Sequence, residues 1–228
     1  MASLSYTPLE RLRCARPVRR IGWLVGEVAG KRVLDLGAFD ETALIKQHSG
    51  YWLHAEMAKE ASYVVGLDNS SKLPSEGLRT SDRSIILRGD VQDIKDIVAE
   101  NDIDVVVCGE LIEHLPNTLH FLSSLKGSSV LEGKVLLLTT PNATALHNVI
   151  LGPFRMESQH RDHLQIYSFK TLNTLCIRAG FSSWEIRPYH VSFAEMILGS
   201  SGPMRVAARL FETAVNLGEM CFPFLSGG

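Results

Sequence analysis

The chain has 228 residues, with 23 Lys plus Arg against 25 Asp plus Glu, 45% hydrophobic and 21% charged residues. That balance excludes a disordered or fibrous chain and describes a soluble globular protein long enough to bury a substantial core. A net charge of −2 excludes a chain-wide basic footprint, because affinity for nucleic-acid phosphates rests on clustered Lys and Arg.

Residues 1–29 read as a basic N-terminal arm or short helix carrying Arg11, Arg13, Arg16, Arg19 and Arg20, a solvated cap in its plainest form. From residue 30 the texture changes, and residues 30–190 read as the core domain. Val33-Leu34-Asp35-Leu36-Gly37 is a short apolar run closed by an acid and a glycine, the pattern of a buried parallel strand entering a tight turn. Further strands are predicted at 63–68, 84–90, 103–108 and 133–140, with helical spacing over 41–59, 91–100 and 118–131. Beyond Pro141 a helix over 171–179 closed by Gly180, a sixth strand over 183–190, and a C-terminal helical extension over 191–228 are predicted. In the last helix, 203–221, Val206, Leu210, Ala214, Leu217 and Cys221 share one face, which reads as packing against the sheet; a dimer contact or a membrane-surface contact is the lesser alternative.

Alternating strands and helices with continuous apolar runs specify an α/β protein, a doubly wound, mostly parallel sheet with helices on both faces. Ligands in such sheets sit outside the carboxyl ends of the strands, where strand order reverses. Those ends carry Asp35 and Gly37, Asp68 with Asn69, Asp90 with Val91, Glu110 with Glu113 and His114, and Thr140-Pro141-Asn142. A carboxylate after the second strand suits a ribose diol, since it offers two acceptor oxygens. One after the third suits an exocyclic amine, and the acid and glycine after the first suit an ammonium group. A dinucleotide would need a glycine-rich phosphate turn. Gly37-Ala38-Phe39-Asp40-Glu41-Thr42 lacks the later glycines and places acids there instead.

These successive segments, with Gly109-Glu110-Leu111-Ile112-Glu113-His114-Leu115 and Leu138-Thr139-Thr140-Pro141-Asn142, resemble the motifs of the class I S-adenosylmethionine-dependent methyltransferases, a Rossmann-like fold. The chain is most similar to the small-molecule branch that includes ubiquinone-biosynthesis enzymes. Tyr51-Trp52-Leu53-His54 resembles the bacterial saccharide-associated group. The resemblance implies S-adenosyl-L-methionine as cofactor, with Asp35, Gly37 and Ala38 at its methionine end, Asp68 and Asn69 at the ribose, Asp90 and Val91 at the adenine, and Glu110 beside the methyl-transfer site. Phe39 and Glu41 stand where typical members have glycine, and the connection from Asp40 to Ser62 is long.

An alcohol acceptor must lose a proton as it attacks the methyl group, so His114, His160 and His163 are candidate bases, with Glu113 beside them. Glu110 and His114, four apart, are expected on one helical face. Plant-type small-RNA 2′-O-methyltransferases are similar in the Glu110-x-x-Glu113-His114 pattern and use it, with a distant histidine, to coordinate a metal. Ordinary small-molecule members carry Glu-His here too, so no resident metal is expected. The lid and acceptor pocket are expected over 143–165.

The expected function is methyl transfer, at oxygen, to a small-molecule or saccharide-linked acceptor. The alternatives are a metal-assisted RNA 2′-O-methyltransferase and a non-catalytic methyltransferase-fold binding module. Cys14, Cys108, Cys176 and Cys221 form no CxxC pair and read as reduced thiols. No run approaches the roughly 18 apolar residues of a membrane span. With no signal segment expected either, a cytoplasmic protein without a nucleic-acid partner follows, a homodimer being possible.

Overall fold

The computed structural model describes residues 11–40, 42–128 and 132–228. A first helix, α1 (Arg20–Val28), leads into β1 (Arg32–Leu36). Two short helices, α2 (Ala43–Lys46) and α3 (Leu53–Glu60), precede β2 (Tyr63–Asp68), β3 (Leu78–Ser81) and β4 (Ser84–Arg88). Then come α4 (Lys95–Asn101), β5 (Val105–Gly109), α5 (Thr118–Gly127), β6 (Val135–Thr139), α6 (Leu146–Leu151), α7 (Phe169–Ala179), α8 (Ala194–Gly199) and α9 (Gly202–Cys221).

The sheet order is β3-β4-β2-β1-β5-β6. All neighbours are parallel except β3, which runs antiparallel to β4 along one edge. Strand order reverses between β1 and β5, the crevice where such sheets hold ligands. The apolar runs are continuous because both faces are covered: Val33, Val105 and Val107 pack against α1 and α3, while Leu34, Leu36, Val106 and Cys108 pack against Phe121, Leu122 and Leu125 of α5. Fully burying a side chain of this size contributes about 1.5–3 kcal/mol.

Five of the anticipated strands form within a residue or two of the expected bounds, and β3 is an addition. The anticipated helix over 41–59 is instead α2 and α3, separated at Gly50, whose φ of +77° ends a helical turn; Glu41 lies outside the described residues, as do the last residues of the helix expected to run to 131. The helix expected from residue 91 starts only at Lys95, because Asp90 turns the chain first, its carboxylate accepting from the Gln92 amide at 2.9 Å.

The sixth strand over 183–190 does not form. Pro188 lacks the amide that a ladder requires, and the segment bridges only at Tyr189, parallel to Val18. Tyr189 also exchanges backbone hydrogen bonds with Gly228, at 2.8 and 3.3 Å. A cavity of about 690 Å³ consequently runs along the free edge of β6, bounded by Trp23, Lys134, Trp184 and Tyr189.

The face of α9 anticipated to pack on the sheet points to solvent instead. The helix is seated through its other side, by Ala208, Val215 and Glu219. Glu219 accepts from His190 Nδ1 at 2.8 Å, and Glu212 accepts from the Phe193 amide at 2.6 Å. These buried polar contacts outcompete the apolar stripe for the core.

Candidate functional site

The turn after β1 is built on Gly37, whose φ is +77°. A β-carbon there would meet Leu111 Cδ1 at 3.1 Å, so the glycine also permits close approach of the two strand tips that flank the reversal. Ala38 and Phe39 are buried. The indole of Trp52 donates to the Ala38 carbonyl at 2.9 Å and meets the Phe39 ring edge-on, with centroids 6.4 Å apart. Phe39, which stands where the family has glycine, thus belongs to a small core beneath the loop. Asp40 accepts from the amide and hydroxyl of Thr42 at 2.7 Å and from Lys46 at 2.5 Å, and Lys46 reaches on to Glu195 of α8 at 3.1 Å. Burial alone would raise the Asp40 pKa, but Lys46 and Thr42 outweigh it and hold it low.

Asp68 ends β2 with its carboxylate half-buried. One oxygen accepts from the Phe39 amide at 3.0 Å and the other from the Ser70 amide at 2.9 Å, so each keeps a free lone pair. Burial pushes its pKa up, with Asp35 adding repulsion, against the two amides. Asn69 and Asp90 are exposed beside it, and Val91 is buried. Asp35 differs. It is 3% exposed and accepts from His54 Nδ1 at 2.9 Å, so it supports the loop from below instead of lining the open crevice.

At the other side of the reversal, Glu110 adopts a φ of +55°, a conformation rare for a non-glycine residue, with its amide held by the Thr139 carbonyl at 3.0 Å. The helix expected from here is a single 3-10 turn over Ile112–His114. Pro116 bars helical conformation at Leu115, which is extended. Glu110 and His114 therefore do not share a helical face. The Glu110 carboxylate instead accepts from the Tyr189 hydroxyl at 2.6 Å, with Arg20 at 3.7 Å. Enclosure of the Tyr189 hydroxyl, together with the Glu110 charge, pushes its pKa well up.

Glu113 is fully buried: Oε2 accepts from Thr140 at 3.0 Å, while Oε1 has no partner. Burial, and then repulsion from Glu110, raises its pKa to about 8. It does not reach the crevice as a general acid or base; its backbone carbonyl anchors the amides of Leu164 and Gln165, at 2.8 and 3.2 Å.

That anchor brings the three histidines together. The ring centroids of His114 and His163 lie 4.7 Å apart, those of His160 and His163 5.6 Å and those of His114 and His160 5.8 Å. His114 Nδ1 lies 3.3 Å from the Asp162 carbonyl and must donate to it, which leaves Nε2 as the basic nitrogen. Burial and the neighbouring His114 and His160 lower the His163 pKa. One ligand atom from each ring lies within 4.8 Å of the others, a set that imidazole-preferring divalent ions accept after small rotations.

Tyr189 and Arg20 join the site without having been singled out as its residues, and Thr139 and Thr140, expected at the end of the fifth strand, join it through Glu110 and Glu113. Tyr189 falls in the expected sixth strand and Arg20 in the expected arm, and nothing local to either marks a contact with Glu110. Asn142, after the end of β6, caps its turn: it accepts from Thr144 and donates to the carbonyls of Phe224 and Ser226.

A family model described as a methyltransferase domain matches residues 9–186. The ubiquinone biosynthesis O-methyltransferase of Xanthomonas campestris pv. campestris (strain B100) is 30% identical over 142 residues, 60% of this chain and 54% of that protein. Its counterpart in Cupriavidus pinatubonensis is 32% identical over 107 residues, 43% of this chain and 37% of that one. The chain thus spans about half the length of the curated relatives it matches. Among solved structures, the small RNA methyltransferase HEN1 superposes with a TM-score of 0.51 at 15% identity, over 77% of this chain and 23% of that one, a likeness of fold.

Proposed function

The chain belongs to the methyltransferase-domain family, and we propose that it is a class I S-adenosylmethionine-dependent methyltransferase that methylates an oxygen of a small-molecule or saccharide-linked acceptor, with His114 taking the acceptor's proton. The residues present fit the cofactor: Asp68 keeps lone pairs for two hydroxyls, Asp90 is open to an amine, and Gly37 leaves the strand tips free of a side chain. The cofactor supplies a methyl group already activated on a sulfonium, so the protein's part is placement and proton removal.

The observation that carries the reading is the imidazole cluster beside Glu110. His114 is fixed in the tautomer that presents a basic Nε2. Burial and the neighbouring imidazoles hold the His163 pKa below its usual value, and the Glu110 charge only partly opposes them, so Glu110 is the group placed to favour an imidazolium forming in the same cluster. The O-methyltransferase relatives act at oxygen, in agreement. Of the four residues that resemble the saccharide-associated group, Trp52 and His54 are buried against Ala38 and Asp35, Leu53 is buried in the core beside α1, and Tyr51 alone is partly exposed.

The test is a transfer assay with methyl-labelled S-adenosylmethionine against phenols, free sugars, sugar nucleotides and short RNA, with and without chelator. Label in an ether on a phenol or sugar, indifferent to chelator, is the expected result. Label only on RNA, and only with a divalent ion, would favour the second reading, metal-assisted 2′-O-methylation, which the three convergent imidazoles support. Tight cofactor binding without transfer to any acceptor would leave a binding module.

A further inference from the structure

The outward face of α9 has no cover. Val206, Leu210 and Leu217 recur on one side of the helix and are 58%, 65% and 64% exposed. An isolated exposed leucine needs no explanation, but a continuous stripe on a 20-residue helix does.

The charges beside it have one sign. Arg205 and Arg209 are exposed, and among the described residues neither pairs with a carboxylate; Arg205 donates only to the Ser200 carbonyl, at 2.8 Å. Both acids of α9 are turned inward, Glu212 to the Phe193 amide and Glu219 to His190. An exposed apolar stripe flanked by arginines, with every carboxylate withdrawn, is complementary to a surface that is apolar below and negative above. A second copy of the chain would offer the stripe an apolar mate but would bring no carboxylate from α9 to the guanidinium groups.

We infer that α9 lies on an anionic lipid surface, with Val206, Leu210 and Leu217 entering the headgroup boundary and Arg205 and Arg209 on lipid phosphates. No helix among the described residues is long and apolar enough to cross a membrane, so the contact is peripheral and reversible. Leu146, at the start of α6, packs against Gly218 of α9, so docking holds the 143–165 segment next to the bilayer.

The experiment is co-sedimentation of the full chain with vesicles of phosphatidylcholine alone and with one-third phosphatidylglycerol, in parallel with sedimentation velocity without lipid. The chain is expected to bind the anionic vesicles and to release as salt rises. Leu210→Glu with Leu217→Glu is expected to abolish binding, and Arg205→Gln or Arg209→Gln to weaken it roughly fivefold each. Cofactor affinity and melting temperature of these variants, set by other residues, report that the fold is intact. Absence of wild-type binding to either vesicle overturns the inference, as does undiminished binding by the double glutamate variant. A wild-type dimer that the glutamates convert to monomer, without vesicle binding, assigns the face to a second copy. None of these outcomes depends on methyl transfer, so docking fails or stands separately from the enzymatic reading.

Discussion

The two sides of the strand-tip crevice are assembled by opposite means. On the cofactor side three carboxylates each build a local turn, Asp40 holding Thr42, Asp68 holding Ser70 and Asp90 holding Gln92, all across two residues, and Asp68 adds one longer bond, from the Phe39 amide. On the acceptor side the partners are remote in sequence: Glu110 meets Tyr189, Glu113 meets Thr140, and His114 meets Asp162. Local turns tolerate truncation of one side chain with the fold intact. Where the partners are remote, truncating one of them disturbs two segments. Substitutions on the two sides should therefore separate into changes of affinity and changes of rate or stability.

The largest separation is expected at His114. His114→Gln should lower kcat at pH 7 by about 10²–10⁴, the usual contribution of a positioned base, while cofactor affinity changes less than about twofold. Steady-state kinetics beside calorimetric titration checks this. A collapse of cofactor affinity instead would show that the two sides are one unit. Asp68→Ala is the mirror experiment. Removing a charged acceptor of two hydrogen bonds should weaken cofactor binding about 10- to 100-fold, with kcat at saturating cofactor nearly retained.

Glu113 sharpens the comparison through pH. Its pKa is near the ordinary 4.5 when unfolded and about 8 when folded, so between those values the folded state holds a proton that the unfolded state has released. Stability from this group is therefore fully present below about pH 4.5 and falls as pH rises to about 8. Glu113→Gln, which keeps an acceptor for Thr140 and cannot ionise, should flatten that decline. Its advantage at pH 8.5 is on the order of a few kcal/mol, or roughly 6–15 °C in melting temperature. Thermal melts of both proteins from pH 5 to 8.5 show it; parallel curves would remove Glu113 as the cause.

The same contrast decides what is legible in the sequence. The strands β1, β2, β4, β5 and β6 and the acids at their tips are readable because an apolar run, its closing acid and its turn are contiguous. His114, His160 and His163 are readable as a set of candidates, but their clustering depends on the Glu113 carbonyl holding the 164–165 amides. The composition of Ser183 to His190 is that of a strand containing Tyr189; Pro188 and the competing pairing with Val18 and Gly228 decide otherwise. The α9 stripe has the period of a buried face. Its orientation is set by Glu212 and Glu219, whose partners lie on the 190–193 segment, which no periodicity records.

Tyr189→Phe gives the smallest effect and the finest test. The variant keeps the ring against Gly228 and removes only the hydroxyl that donates to Glu110 at 2.6 Å. A hydrogen bond to a charged acceptor contributes about 1.5–3 kcal/mol, so melting should fall by roughly 3–10 °C. Released from Tyr189, Glu110 retains Arg20 at 3.7 Å and the backbone bond from its amide to Thr139. Its charge therefore stays near the histidines, and kcat should fall only several-fold while cofactor affinity holds. If kcat instead falls as far as in His114→Gln, the Tyr189 hydroxyl sets where the Glu110 charge sits, and the acceptor side is positioned by the far end of the chain as much as by the tip of β5.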